Sequence, residues 1–339
     1  MKLTLRSDIE IFQELHSEWN SLLKRSIANR IFSTWEWQSI WWSAYHPGQL
    51  WVLTVRDEDN TLVAIAPWFI ENHSEHGRVI RPIGCVDVTD YLDMIVANEH
   101  VEIVMREIAQ FLNANKSEFD WVNLCNIPEK SPTLSFLPAY LSELGLVVQL
   151  TQQDVCPIIH LPSSWDRYFE LLDKKQRHEL RRKLRRIDGA SEKVEWYIVN
   201  ENHNLSEEIK KFIHLMASSQ AEKAKFLTDS QNLDFFNSLV PAALHNNWLQ
   251  LSFLTIDNVA AASYLNFVYG NSVLVYNSGL LPDQYGHLSP GIILLAYNIK
   301  FAIQSGYEFF DFLRGDETYK YRMGAQDSKV FMLTASETH

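Results

Sequence analysis

The sequence predicts an α/β protein built as two similar halves. Three observations carry that reading. The chain has 339 residues, the length of two ordinary domains. Apolar residues make up 46% and charged residues 21%, which suits packed cores and not disorder. The hydrophobic pattern also runs twice through one order of elements: strand, two helices, three or four antiparallel strands, helix, strand.

In the first half, Leu3 and Leu5 mark a short strand. Ser7 and Glu10 have the spacing of a capping box. Ile11, Phe12, Leu15, Trp19, Leu22 and Leu23 then recur at helical spacing. A second helix opening at Ser33 or Thr34 carries Trp35, Trp37, Trp41 and Trp42, an aromatic group that reads as core. Extended runs follow at Leu50 to Arg56, Leu62 to Ile70, Val79 to Ile83 and Tyr91 to Val96. A helix over Glu99 to Asn115, a strand over Trp121 to Cys125, a helix to Leu144 and a strand from Leu146 close the half.

The second half opens with a strand at Val194 to Val199 and helices at Leu205 to Glu222 and Leu233 to His245. Strands follow at Trp248 to Ile256, Val259 to Tyr269 and Ser272 to Ser278, separated by the turn pairs Asp257-Asn258 and Gly270-Asn271. A helix from Pro290 to Ser305 and strands at Glu308 to Leu313 and Val330 to Leu333 end the pattern. Between the halves, Ser164 to Asp188 reads as one helix with eight Lys/Arg against one Glu from Lys174 to Arg186. The expected organisation is a first domain over 1–160, a basic connecting helix over 161–190 and a second domain over 191–339.

Composition narrows the function. A net charge of −12 argues against DNA as a partner, because nucleic-acid binders carry the opposite sign. Cys85, Cys125 and Cys156 form no C-x-x-C pair, so buried free thiols are expected, with neither a disulfide framework nor a metal site. No apolar leader or membrane-spanning run stands out, which points to a cytoplasmic protein and leaves only peripheral membrane contact open.

The segment Asp311-Phe312-Leu313-Arg314-Gly315-Asp316-Glu317-Thr318-Tyr319-Lys320 resembles the strand-end signature of the CelD-like GNAT N-acetyltransferases. That family is associated with cellulose and exopolysaccharide production and is related to the Fem aminoacyltransferases. The basic helix, Ser289-Pro290-Gly291 and Thr89-Asp90-Tyr91-Leu92-Asp93 are similar to further parts of it. The resemblance implies tandem GNAT-like domains, each a mixed central sheet flanked by helices, with acetyl-CoA or another acyl-CoA as cosubstrate and an amine, on a small molecule or amino sugar, as acceptor. The loop Tyr285 to Gly291 departs from the usual Q/R-x-x-G-x-G/A phosphate loop.

Each candidate site follows from chemistry. Ser289 can cap a helix that Pro290 opens, leaving N–H groups for a diphosphate, with Gly286, His287 and Gly291 beside it. Transfer to an amine needs a base and an acid. Glu317 or Asp316 is assigned as base, Tyr319 as acid for the thiolate, and Lys320 as the holder of an anionic group. Asp90, Tyr91, Asp93, Arg181, Arg185 and Arg314 are the expected substrate-binding residues, around an acceptor cleft between the halves. Three readings stand: an acyl-CoA-dependent N-acyltransferase, a Fem-like enzyme using aminoacyl-tRNA, and a GNAT scaffold that has lost catalysis and binds a ligand or partner. The acidic charge, and the absence of the long coiled coil of many Fem proteins, argue against tRNA.

Overall fold

The computed structural model describes residues 1–85, 88–281 and 284–337. The chain divides into two units, Met1–Val155 with Ser328–His339, and Cys156–Asp327. In chain order come β1 (Lys2–Arg6), α1 (Glu10–Leu23), α2 (Trp35–Tyr45), β2 (Gln49–Leu50), β3 (Val52–Arg56), β4 (Leu62–Ala66), β5 (Trp68–His73), β6 (Gly77–Pro82) and β7 (Ile95–Val96). Next are α3 (Val101–Ala114), β8 (Trp121–Pro128), α4 (Pro132–Glu143) and β9 (Val147–His160), which carries the chain from the first unit into the second. Then come α5 (Trp165–Leu171), α6 (Lys174–Asp188), β10 (Val194–Ile198), α7 (Leu205–Ser219), α8 (Ala221–Phe226) and α9 (Ser230–His245). The last elements are β11 (Leu249–Ile256), β12 (Val259–Tyr269), β13 (Ser272–Leu280), α10 (Pro290–Gln304), β14 (Phe309–Asp311), α11 (Thr318–Arg322) and β15 (Gln326–Ser336).

Unit 1 holds an antiparallel sheet in the order β1-β3-β4-β7. Beside one another in its second sheet lie β15, β8, β6, β5 and β2, with the β6–β8 pair parallel. Thr34 caps α2 by accepting the Trp37 N–H; Trp37, Trp41 and Trp42 are buried in the core, while Trp35 is half-buried.

Unit 2 is one mixed sheet in the order β10-β11-β12-β13-β14-β9. Its pairs are antiparallel except β13–β14, which is parallel. The apolar helix α10 packs Ile293, Leu294, Leu295 and Ile299 against Ala262, Val273 and Phe310 of the sheet. Against β13 lies α7, so close that a Cβ on Gly279 would sit 2.3 Å from the Met216 nitrogen. Only glycine allows that contact.

Several sequence expectations change in three dimensions. No side chain caps α1, and Ser7 with Glu10 makes no capping box, because the helix begins at Glu10 itself. Pro67 breaks the Leu62 to Ile70 run into β4 and β5, which belong to different sheets. Of Tyr91 to Val96, only Ile95–Val96 is strand. The helix expected over Ser164 to Asp188 is two, because Asp173 turns extended and accepts the Gln176 N–H as a fresh N-cap. Gln220, also extended, likewise separates α7 from α8. Residues Val330 to Ser336 of the closing strand pair with β8 of unit 1, although the sequence reading left them with the second domain.

The cysteine expectation also fails. Cys85 and Cys125 are joined in a disulfide across 40 residues, and Cys156 is buried outside any disulfide. The cause is topological: β6 pairs in parallel with β8, which brings the segment after β6 beside Cys125. Among the described residues, no helix is long and apolar enough to cross a membrane.

Candidate functional site

The parting of β13 and β14 creates the site. Their parallel pairing covers only Ser272 to Leu274 opposite Phe309 to Asp311. Beyond it β13 runs on to Leu280, while β14 ends. A register shift sits here too, with Asn266 opposite Val275 and Leu265 opposite Asn277, so Tyr276 is bulged. Next to the freed length of β13 lies a cleft of about 370 Å³, walled by Tyr264, Ser278 and Leu280 from the sheet and by Ser289, Gly291 and Ile292 at the start of α10. Tyr319 closes one side. A second cleft of about 210 Å³ shares Ile292 and Tyr319 and is otherwise lined by Gln176, Glu179, Leu180 and Lys183 of α6 and by Arg322 and Met323.

The strand-end signature is a self-braced turn. Asp311 is 4% exposed and accepts the Leu313 N–H at 2.8 Å. Leu313 takes φ 58° and Gly315 φ 110°. Lys320, 2% exposed, donates to the carbonyls of Leu313, Arg314 and Gly315 at 3.3, 2.7 and 3.0 Å, and its Nζ lies 2.8 Å from Glu317 Oε2. The lysine therefore spends its donors on the turn, and the role of holding an anionic ligand is corrected. Physically, three carbonyls pointing one way need a buried cation.

Tyr319, the second residue of α11, packs edge-on against Phe312 with ring centroids 5.9 Å apart. Burial, and then the charge of Glu317, push its phenol well above the usual tyrosine range. Tyr264 is pushed up in the same sense, by burial and by Tyr319. Asp316 and Glu317 are exposed, so neither has the apolar enclosure on which the assignment of a carboxylate base depended.

The start of α10 differs from expectation in detail. Ser289 is left-handed, φ 56° and ψ 51°, and makes no side-chain cap. A capping side chain needs an extended backbone to reach the first free N–H groups. Its Oγ instead accepts from Lys183 Nζ at 2.7 Å, while Arg186 donates to the His287 carbonyl at 2.8 Å. Two cations of α6 thus fasten the 286–289 loop. His287 is exposed, with Nε2 3.2 Å from Glu192 Oε1. Gly286 and Gly291 border the cleft, and the fold demands neither glycine: a Cβ meets nothing within 4 Å at Gly286 and only Leu280 at 3.6 Å at Gly291.

The expected substrate residues are scattered. Arg181 is exposed and lies 4.8 Å over the Phe169 ring, Arg185 is exposed, and Arg314 gives its carbonyl to Lys320. Asp90, Tyr91 and Asp93 belong to unit 1. Tyr91 is 2% exposed, packed under the Arg30 guanidinium at 4.6 Å, which removes it as a surface contact. Asp93 accepts from Thr133 Oγ1 at 2.5 Å and from the Met94 N–H at 2.9 Å, and burial pushes its carboxyl up.

One residue escaped the sequence reading. Lys223, on α8, donates from Nζ to Asn277 Oδ1 at 2.9 Å and to the Ser278 carbonyl at 2.6 Å. Burial pushes it down to about 8, against the opposing charge of Glu317. Only the β-bulge and the helix break at Gln220 place it there, and no local motif signals either. Among the described residues, no group of three or more His, Cys, Asp or Glu side chains could hold a metal ion.

Residues 174–321, all within unit 2, match the family described as acetyltransferase (GNAT) domain. Over the whole chain, a structure of FemX superposes with TM-score 0.65 at 11% identity, covering 98% of this chain and 97% of that one. The C-terminal domain of a putative lysylphosphatidylglycerol synthetase from Agrobacterium fabrum gives TM-score 0.54 at 11% identity, covering 95% and 92%. A tandem GNAT protein from the clavulanic acid biosynthesis pathway gives 0.50 at 12% identity, covering 100% of both chains. At these identities the likeness is one of fold: the chain is a mixed α/β protein with a GNAT acyltransferase fold, similar to tandem GNAT proteins. No curated protein matches the chain.

Proposed function

We propose that unit 2 is an N-acyltransferase that moves an acyl group, acetyl in the first instance, from acyl-CoA to the amine of a small molecule or amino sugar. In the CelD-like resemblance that acceptor is an exopolysaccharide precursor, and the enzyme works in the cytoplasm. The observation that carries the reading is the cleft where β13 outruns β14, with Tyr319 on one side and the start of α10 on the other.

Acyl-CoA enters as a substrate, and the residues present fit it. The start of α10 carries no side-chain cap, so backbone N–H groups of the first turn are left for an anion. Gly286 and Gly291 let a ligand approach the backbone there, and Lys183 and Arg322 in the adjoining cleft supply positive charge. Tyr319 stays protonated at neutral pH, as an acid for a departing thiolate must. Its neighbour Glu317 helps to keep it so.

A second reading, aminoacyl transfer from tRNA, is favoured by the exposed cations of α6, Arg181 and Arg185 among them, and by the Fem resemblance. Thermal unfolding with acetyl-CoA, longer acyl-CoAs, free CoA and aminoacyl-tRNA separates the two, because a ligand of the folded state raises its melting temperature. Stabilisation by CoA compounds, with thiol release on an amine panel and a fall of about 10²–10⁴-fold in kcat for Tyr319→Phe, supports acyl transfer. Stabilisation by tRNA alone refutes it. Tight CoA binding with no turnover on any amine points to a scaffold that only binds.

A further inference from the structure

An acceptor amine reaches neutral solution as an ammonium and must lose a proton before it can attack. Neither exposed carboxylate near the cleft is enclosed enough to make a specific taker. The wall of the cleft offers another group. Ser278 lines it, and so does Gln220, the residue that opens α8. Lys223 stands one turn further along α8, and its Nζ donates to the carbonyl of Ser278 in that wall and to Oδ1 of the adjacent Asn277.

Its bonding accommodates the neutral amine that a base requires. A neutral primary amine has two N–H groups and one lone pair, whereas an ammonium has three N–H groups and none. Asn277 Oδ1 and the Ser278 carbonyl are both acceptors, and together they use two N–H groups. The neutral amine is then satisfied and keeps its lone pair. The surroundings agree: Lys223 is half-buried, its partners on β13 are uncharged, and the charged group acting on it is Glu317, exposed and already paired with Lys320. The phenols of Tyr319 and Tyr264 are neutral.

We infer that Lys223 is the general base of the transfer, taking the proton from the acceptor's ammonium in the cleft beside Ser278. This rests on the acyl-CoA reading above. The amine nitrogen then attacks the thioester carbonyl, a C–N bond forms and the C–S bond breaks. The departing sulfur takes the Tyr319 phenol proton, and the second proton of the amine nitrogen restores the phenol. Lys223 returns its own proton to solvent. One ammonium and one thioester give one amide, one thiol and one proton.

The experiment uses the full chain, acetyl-CoA and the best amine of the panel, with Lys223→Gln and Lys223→Arg. Both variants are expected to lose about 10²–10⁴-fold in kcat, the usual worth of general acid–base catalysis, with KM for acetyl-CoA within about twofold. In the parent protein, kcat/KM rises with pH through about 8, and this limb is lost in both variants. Arginine keeps the charge but takes no proton, so recovery of activity in Lys223→Arg overturns the inference and makes the residue a fixed charge. Competitive labelling of the parent's lysines with acetic anhydride across pH is independent of activity and of how the variants fold. A midpoint at Lys223 near pH 8 supports the inference, and one in the ordinary lysine range overturns it. Parent turnover with an equally active Lys223→Gln refutes Lys223 alone. A parent that neither binds nor turns over acetyl-CoA refutes the acyl-CoA reading and takes this inference with it.

Discussion

Lys183 of the basic helix and Ser289 at the start of α10 meet at 2.7 Å, the lysine donating from Nζ to the serine Oγ. A residue read from sequence as a helix cap is thus an acceptor for a cation 106 positions earlier. The bond holds the loop before α10 in its left-handed turn. Lys183→Met is expected to cost about 1 kcal/mol of stability, for a charge-assisted bond with its lysine partly exposed. It should also weaken CoA binding, measured by calorimetry. Arg185→Glu, on the exposed face, should leave stability unchanged and flatten the salt dependence of any anionic ligand.

Two glycines of unit 2 should respond in opposite ways. Gly279→Ala drives a methyl into the backbone of α7 and is expected to cost about 2–3 kcal/mol, the scale of core overpacking. Gly291→Ala fits the protein, with Leu280 3.6 Å away, and should not lower the melting temperature. Its effect should appear as weaker CoA binding, because the added methyl stands in the cleft. Unchanged CoA affinity in Gly291→Ala removes this turn from the site.

Lys320 should behave as part of the fold. Lys320→Met leaves buried carbonyls of the signature turn without their donor and is expected to cost roughly 3 kcal/mol. The measurement is the urea midpoint at unchanged m. A higher KM with unaltered stability would instead return Lys320 to the ligand.

Asp93 gives a pH-dependent test in unit 1. Its carboxyl is raised in the folded state by burial, against the opposing bonds from Ser131 and Thr133. A raised carboxyl contributes its stability below the unfolded value of 3.8 and loses it as pH rises through the folded value. At neutral pH the charge therefore opposes folding. Asp93→Asn keeps the Oδ1 acceptor for Thr133 and Met94 without that charge. Its urea midpoint should exceed the parent's at pH 7, and the difference should vanish as pH falls to about 3.

The candidate site was half legible. The decapeptide marked the end of β14 correctly in the chain, and Tyr319 stands beside the cleft. Lys320 looked equally reactive in sequence, since a lysine reads the same whether it meets ligand or carbonyls. Burial at 2% separates the two cases, and burial is a property of the packed chain. Lys223 had no motif at all, because its neighbours on β13 lie more than fifty positions away.

By itself, the sequence determined the elements whose information is local. The strand over Val259 to Tyr269 and the helix opened by Pro290 follow from periodicity and fixed proline φ within a few residues, whereas the start of α2 is narrowed only to Ser33 or Thr34. The tertiary structure alone decided which strands became neighbours: the parting of β13 from β14, the pairing of Val330 to Ser336 with β8, and the meeting of Cys85 with Cys125. Those outcomes rest on hydrogen bonds and apolar burial between segments far apart in the chain. The free energy of such contacts belongs to pairs of segments, and no window along one of them contains it.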